Sequence, residues 1–249
     1  MPNVDEKNYN IGRGKVLFKP AGETNFRDLG NAPDFKFAVK TTVLKHPSSR
    51  EGMKTFDDQV TTEQTAAGSL TLDDLKDFNM KNFIMAAAVN AANQADGSVT
   101  DQAVTAELDR WIDLGKFKLS SVVVKNQAGD ITYVLNTDYR LDAEAGLLMP
   151  LSSGAITAAQ ALKVSFAHAA VASSSMDAAT SAKIEGDLYF VGNPPKGKIV
   201  DVLGYVAMTP NGDLSLIGDD WTKFAFDVEF LSGHGYTGLF KLRNRGIVS

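Results

Sequence analysis

Apolar and polar residues alternate along several stretches of this chain, and the alternation is strictest in residues 223–230. The apolar positions of this segment recur at every second residue and are Phe224, Phe226, Val228 and Phe230. The polar or small positions between them are Ala225, Asp227 and Glu229. Successive side chains of a strand point to opposite faces of its sheet. The pattern therefore predicts a strand with one buried face and one acidic, solvated face.

Two more strands are predicted just before this one, at residues 187–191 and 198–208, with the Gly- and Pro-containing turn 192–197 between them. The dipeptide Asn211-Gly212 follows the second strand. Asn-Gly is typical of two-residue hairpin turns, so it predicts a tight hairpin turn after residue 208.

The first third of the chain predicts a long hairpin. Residues 35–46 alternate between apolar and polar positions, and a Thr-rich extended segment covers residues 54–72. The segment between them, residues 46–54, is polar and contains Pro47 and Gly52. We therefore expect an extended hairpin tip at 46–54. A shorter strand, residues 15–19, is expected to stop at Pro20.

One helix is predicted after the hairpin. Thr71 as N-cap with Asp74 three residues later resembles a capping box, and acidic residues suit the positive end of the helix dipole. Leu75 and Phe78 continue an apolar stripe at helical spacing, which predicts a helix to about Met85.

From residue 107 onward the pattern returns to short strands separated by turns. These strands are predicted at residues 110–113, 121–125, 131–135, 139–142, 147–149 and 161–168. Residues 169–181, rich in Ala and Ser, predict a loop. No repeat or linker interrupts the chain, so we expect a single domain over residues 1–249. The predicted class is mainly β, a sandwich or barrel with one flanking α-helix and long hairpin loops.

Composition narrows the function classes. The 249 residues carry a formal net charge of −5, which argues against a duplex-binding surface because phosphate neutralisation needs clustered Lys and Arg. No run approaches the roughly 18 apolar residues that a transmembrane helix needs, and the first residues lack the apolar region of a signal peptide. The absence of cysteine excludes disulfides, thiol catalysis and thiolate metal sites.

Catalytic patterns are also missing from the sequence. The three histidines, none in a metal-binding spacing, are His46, His168 and His234. Adjacent acid pairs occur at 57–58, 73–74 and 219–220, but neighbouring residues of a chain seldom face each other across a cleft. No Gly-x-Ser-x-Gly motif is present. We therefore expect a protein that is not an enzyme and needs no cofactor or metal.

Four segments together resemble the major tail tube proteins of long, non-contractile bacteriophage tails. They are Gly14–Lys19 with 29–31 and the strand into HPSSR at 46–50; the segment 72–79 after a Thr-rich strand; TDYRLDAEAG at 137–146; and the block from Asp187 through 210–217 to Phe230. Their order covers nearly the whole chain. Residues 86–105 and 169–181 depart from the pattern, and the chain is expected to lack a C-terminal immunoglobulin-like domain.

The resemblance implies a structural virion protein whose subunits form hexameric rings. Rings stack into a hollow tail tube through which DNA is ejected into the host, in a fold shared with the type VI secretion tube protein. The implied partners are other copies of the chain and the tail-tip, tape-measure and tail-terminator proteins, with DNA passing unbound and no membrane involved. The implied location is the virion tail, with assembly in the host cytoplasm.

Three sets of residues are candidates for the contacts of such a tube. The lumen candidates are Asp227 and Glu229, for which an outer solvated face is the alternative. The N-terminal arm, residues 1–14, offers Asn8, Tyr9 and Arg13 for contacts with a neighbour. The tip is either an inter-ring contact or an idle hairpin end, and its residues are His46, Pro47, Ser48, Ser49, Arg50, Glu51, Gly52, Met53 and Lys54.

Two other functions compete with the tube. Trp111 and Trp221, with nearby acids, are compatible with a carbohydrate-binding β-sandwich module, since Trp stacks on sugar rings. The third hypothesis is a hydrolase whose site the motifs do not reveal.

Overall fold

The computed structural model describes residues 10–50 and 52–248, and within them the protein is mainly β with one helix, as predicted. The elements of the first third are β1 Gly14–Pro20, β2 Arg27–Asp28, β3 Asp34–Ser48, β4 Thr55–Leu72 and α1 Asp77–Phe83. Those of the middle third are β5 Asn90–Ala91, β6 Gly97–Thr105, β7 Ile112–Asp113, β8 Leu119–Asn126, β9 Tyr139–Asp142, β10 Leu147–Pro150, β11 Ala161–His168 and β12 Ser174–Ser175. The last are β13 Ile184–Gly192, β14 Gly197–Pro210, β15 Phe224–Phe230 and β16 Lys241–Val248.

The described chain divides into two compact units, where the sequence predicts one domain. The first unit takes residues 10–89 and 176–248, and the second takes residues 90–175. The reason lies in β5 and β12, which pair antiparallel and so bring the two ends of the second unit together. Because residues 90–175 begin and end at strands that pair with each other, no Gly- or Pro-rich linker is needed at either end. The amino-acid composition therefore does not mark the boundary between the two units.

The first unit contains one large antiparallel sheet. Its strands follow the order β2-β1-β13-β14-β15-β4-β3, and β16 pairs with β14 as well. The long strand β14 has β13 on one side, while β15 and β16 share the other side. β15 takes the half of β14 from Val206 to Pro210, and β16 takes the half from Gly197 to Leu203.

One face of this sheet carries the core of the first unit. The predicted alternation of β15 is confirmed: its four apolar side chains are buried, while Asp227 and Glu229 are exposed. Helix α1 covers this face through Phe83, whose ring lies 5.3 Å from that of Phe224 and 5.8 Å from that of Phe226. Burial of aromatic rings on one face leaves the opposite face of the same sheet uncovered by this core.

The helix begins later than the capping pattern predicts. Thr71 lies in β4 and pairs with Ala225, and the helix starts at Asp77 without a side-chain cap hydrogen bond. The Asn31 side-chain amide donates to both carboxylate oxygens of Asp73, at 2.9 and 2.8 Å. Asp73, which the capping pattern places in the first turn of the helix, is therefore engaged by Asn31 instead. Pairing with a buried strand has overridden a local helix signal. Helix α1 is seven residues long, and no helix of the described chain has the length and apolarity needed to span a membrane.

The hairpin turn predicted at Asn211-Gly212 is longer than expected. β14 and β15 do pair antiparallel, but Pro210 lies opposite Phe226, so residues 211–223 form a loop instead of a two-residue turn. The Asn211 amide donates to the Ala225 carbonyl at 2.8 Å, and Gly212 has a φ of 90°. The Asn-Gly pair therefore turns the chain locally, and the strand register sets the length of the loop.

The second unit has its own core and two three-stranded sheets, ordered β7-β10-β9 and β6-β11-β8. β11 has the predicted bounds, but the strand predicted at 131–135 is absent and only isolated bridges occur there. The buried Asp138 carboxylate accepts from the amides of Val134 and Ala155, at 2.8 Å each. These two amides lower the pKa of Asp138 against the opposing effect of burial. They fix the turn that replaces the expected strand. Residues 169–181, predicted as a loop, contain the short strand β12.

Candidate assembly surfaces of the large sheet

The hairpin of β3 and β4 extends well beyond the rest of the sheet. β15 accompanies β4 only from Leu72 to Ala66, after which Lys40–Ser48 and Thr55–Thr65 pair only with each other in the described chain. We call these two segments with the tip residues 49–54 the ribbon. At about 3.4 Å per residue the ribbon extends roughly 30 Å. None of its described residues is buried.

Apolar side chains lie exposed on the ribbon. Leu44 and Val60 are cross-strand partners, and they are 64% and 56% exposed. Phe56 is exposed and lies under the Lys45 ammonium, which is 5.2 Å from the ring centroid. A two-stranded hairpin alone is marginally stable in water. Covering these side chains by a partner surface would stabilise the ribbon by removing apolar area from water.

The predicted tip is only partly a loop. His46, Pro47 and Ser48 belong to β3, since Ser48 still pairs with Thr55, so the turn is confined to residues 49–54. Ser49, Arg50, Gly52, Met53 and Lys54 are exposed there, whereas Glu51 lies outside the described residues. Ring atom Nδ1 of His46 lies 2.6 Å from a carboxylate oxygen of Asp57. His46 and Pro47 are thus side chains of a strand, not of a turn.

Of the predicted arm residues, Asn8 and Tyr9 lie outside the described part of the chain. Arg13 is described and exposed, and its carbonyl accepts from the Asn193 amide at 2.7 Å. This hydrogen bond fixes the chain where it enters β1, next to the turn after β13.

The lumen candidates lie together on the face of the sheet opposite its core. Asp227 is opposite Ser69 and Thr209, and Glu229 is opposite Ala67 and Ala207. Small neighbours leave both carboxylates projecting from a shallow depression, whose rim also includes Lys40. Asp227 is held by the Asn211 side-chain amide, which donates to it at 2.9 Å.

The charge of this face is mixed. By register, Lys36 and Lys40 of β3 lie on the same face as the two acids of β15. The alternation within β15 correctly predicts that this strand has an acidic face. The lysines on the same face belong to β3, and the sequence of β15 alone does not show that β3 lies nearby.

The C-terminal strand β16 was not predicted from the sequence. Residues 241–247 are all exposed, so no apolar face marks the strand. Its signal is the basic alternation of Lys241, Arg243 and Arg245, which is typical of an exposed edge strand.

An ion pair between the exposed Arg245 and the buried Asp201 attaches β16 to the sheet. The Arg245 guanidinium donates to the buried Asp201 carboxylate at 2.7 Å and to the Gly192 carbonyl at 2.6 Å. The Gly192 amide donates to the same carboxylate at 3.0 Å. Burial alone would raise the pKa of Asp201, but Arg245 and the Gly192 amide outweigh it and lower that pKa. Asp201 is therefore charged in the folded protein over the neutral and mildly acidic range.

Asp201 makes stability depend on pH in a defined direction. Because its pKa is lower folded than unfolded, its contribution is complete above the unfolded value near 3.9 and is lost as pH falls through the lower folded value. We expect Asp201→Asn to lower the unfolding free energy at pH 7 by about 1–3 kcal/mol. Denaturant unfolding from pH 7 to pH 3 checks this. The variant should show a weaker loss of stability below about pH 4 than the unaltered protein, and equal slopes would contradict the role of Asp201.

The two tryptophans are exposed and belong to different units. Trp111 lies in the second unit, and Trp221, 85% exposed, lies in the loop 211–223 of the first. Ile217 of the same loop is 95% exposed, and Leu216 is exposed as well. The sequence analysis did not predict this loop as an exposed apolar surface. The sequence LIGDDW at 216–221, in which apolar residues flank two acidic ones, indicates such a surface.

The remaining described surface shows no arrangement of titratable groups that would bind a metal. Among the described residues no group of three or more His, Asp or Glu side chains lies close enough to hold a metal ion. His234 stacks on Tyr205 with centroids 3.7 Å apart, and Tyr236 donates to Asp187 at 2.8 Å. Burial and the Asp187 carboxylate raise the pKa of Tyr236 far above its usual value, so its hydroxyl remains a donor. These contacts hold residues 231–240 against the sheet.

A family model described as "Protein of unknown function UCP028589" matches residues 9–235. The match extends over both compact units, including the ribbon, the lumen candidates and the loop that carries Trp221. No curated protein matches the chain.

Proposed function

The chain belongs to this family of proteins of unknown function, and we propose that it is the structural subunit of a tube. In this proposal six copies form a ring, rings stack into the tail tube of a bacteriophage, and DNA leaves the virion through it. The protein is then a virion component that assembles in the host cytoplasm and catalyses no reaction.

The ribbon is the observation that carries the proposal. Its two strands have no other strand beside them in the described chain, no described residue in them is buried, and Leu44 and Val60 are exposed as a pair. A projecting ribbon of this kind is stable and soluble when another surface covers it. A neighbouring ring supplies that surface, with the tip residues 49–54 as the point of contact.

Edge strands support the formation of rings. The outer edge of β3 is unpaired among the described residues, and β1 is covered on its outer side only by the two residues of β2. Unpaired edges favour pairing with another chain. A contact between two different edges of identical subunits repeats in one direction, and it closes into a ring when the rotation allows.

The part of the sheet face that carries Asp227 and Glu229 is proposed as the lumen wall. Asp227 and Glu229 repel DNA phosphates, while the nearby Lys36 and Lys40 keep the face from being uniformly acidic. A surface of mixed charge lacks the clustered cations that bind a phosphate backbone. Tail-tip, tape-measure and tail-terminator proteins are the proposed partners at the ends and inside of the tube.

Electron microscopy of the purified protein tests this proposal. We expect rings at high concentration and tubes built from them, and a reconstruction with side-chain detail should place Asp227 and Glu229 on the inner wall. Monomers at every concentration would contradict the tube, and tubes with these acids on the outside would contradict the lumen assignment alone.

A carbohydrate-binding module is the second candidate, favoured by the exposure of Trp221 beside Asp219 and Asp220. Monomers that bind immobilised glycans, and lose binding on Trp221→Ala, would support that candidate in place of the tube.

A further inference from the structure

The large sheet splits where β15 ends. Phe230 is the last residue of β15 and lies opposite Ala66 of β4. Beyond this point the chain leaves the sheet through residues 231–240 and returns as β16 on the same side of β14. The edge of β4 over Thr55–Thr65 therefore loses its neighbour, although β3 still covers its other side.

The outer edge of β16 borders the same split. β16 pairs with β14 on one side, and no strand of the described chain pairs with its other side. The split is thus bordered by two edges that have no partner strand in the described chain, one eleven residues long on β4 and one eight residues long on β16. Edges of this length are templates for pairing between chains.

The two edges carry opposite charges. The β4 edge, residues 55–65, includes Asp57, Asp58 and Glu63 and contains no basic residue. The β16 strand includes Lys241, Arg243 and Arg245 and contains no acidic residue. Arg245 is used by Asp201, whereas Lys241 and Arg243 form no ion pair within the described chain.

The free charges also lie on one face of the sheet. Glu63 is opposite Thr42 and Asp58 is opposite His46, and both positions share the face of Lys40. Arg243 is opposite Asp201 and Lys241 is opposite Leu203, two positions that share the face of Ala207 and Glu229. Because Lys40 and Glu229 line one depression, the four charges project from the same face. Opposite charges on one face of paired strands stabilise the pair.

We propose that β16 of one copy pairs with the Thr55–Thr65 edge of β4 in the next copy. Main-chain hydrogen bonds then continue the sheet from subunit to subunit, and Lys241 and Arg243 face Asp58 and Glu63 of the neighbour. The inference rests on the proposed tube, because it assigns β16 and this edge of β4 to the contact between neighbouring copies of a ring, in addition to the edges of β1 and β3. Each copy offers one of each edge, so the contact repeats head to tail.

Two complementary variants test the pairing. The first carries Lys241→Glu with Arg243→Glu, so that both of its edges are acidic. The second carries Asp58→Lys with Glu63→Lys, so that both of its edges are basic. Each variant alone is expected to need at least about tenfold more protein to form rings, since like charges meet at every contact. A mixture of the two should form rings near the concentration that the unaltered protein needs.

The matched control is Lys196→Glu with Lys223→Glu, which reverses two exposed lysines of the same unit outside both edges. Sedimentation velocity measures the rings, and circular dichroism with thermal unfolding checks that every variant is folded. Rings from the unaltered protein and from each edge variant alone at equal concentration would overturn the pairing and leave the tube proposal standing. No rings from the unaltered protein would overturn the tube, and with it this inference.

Discussion

Replacing residues 49–54 by Asn-Gly is expected to leave a folded subunit whose rings no longer stack into tubes. Ser48 and Thr55 are the last paired residues of the ribbon, and Asn-Gly is the preferred two-residue connection between paired strands. The change therefore removes the tip and keeps both strands. If the tip contributes 1.4 kcal/mol or more to each contact between rings, tube formation falls by about tenfold or more.

Two measurements decide this prediction. Electron microscopy and pelleting give the mass of tubes, and thermal unfolding shows whether the subunit is intact. In a control variant, six Gly and Ser residues replace 49–54, which keeps the length of the tip and removes its native side chains. This control shows whether stacking depends on the length of the tip or on its side chains. Tubes of normal length from the Asn-Gly variant would contradict the stacking role of the tip.

Phe226→Ala is expected to lower the unfolding free energy of the first unit by about 3–5 kcal/mol. Phe226 is 1% exposed, points into the core from β15, and packs edge-on against Phe83 of helix α1. The truncation leaves a cavity between the sheet and the helix, because the flanking strands are fixed by pairing on both sides of β15. Denaturant unfolding followed by fluorescence and circular dichroism measures the loss.

The matched control for this prediction is the same change at Phe56, which is 70% exposed on the ribbon. We expect Phe56→Ala to alter the unfolding free energy by no more than about 0.5 kcal/mol. It should instead reduce assembly, because Phe56 lies on the surface that the next copy is proposed to cover. Equal destabilisation by the two variants would contradict the distinction between a core ring and an interface ring.

Alternation predicted two strands of the first unit, of which only β15 has a fully buried face. Residues 223–230 and 35–46 follow a period of two, and both are strands in the large sheet. The predicted helix start was wrong because Thr is favoured both as a helix N-cap and within strands. The pairing of Thr71 with Ala225 places Thr71 in a strand. A local sequence pattern cannot decide between a helix cap and a strand when the stabilisation of the strand comes from a partner that is distant in sequence.

Some elements that the sequence analysis did not predict lack a periodic apolar face. β16 is exposed from Lys241 to Ile247, and the second unit is closed by β5 and β12, two strands of two residues each. Neither leaves a periodic apolar signal. The candidate surfaces depend on strand register as well: the acids of β15 could be named from sequence, but their position beside Lys36 and Lys40 of β3 is given only by the register of the sheet.

Asn90 pairs with Ser175, so the middle third of the chain is an inserted unit, or cassette, that begins and ends at the same place. Its entry and exit are neighbours, so another folded module with adjacent ends could occupy the same position without lengthening the connection on either side. Descendants of a common ancestor could thus exchange or lose this cassette while keeping the large sheet. The same position is a natural site at which to display a foreign protein.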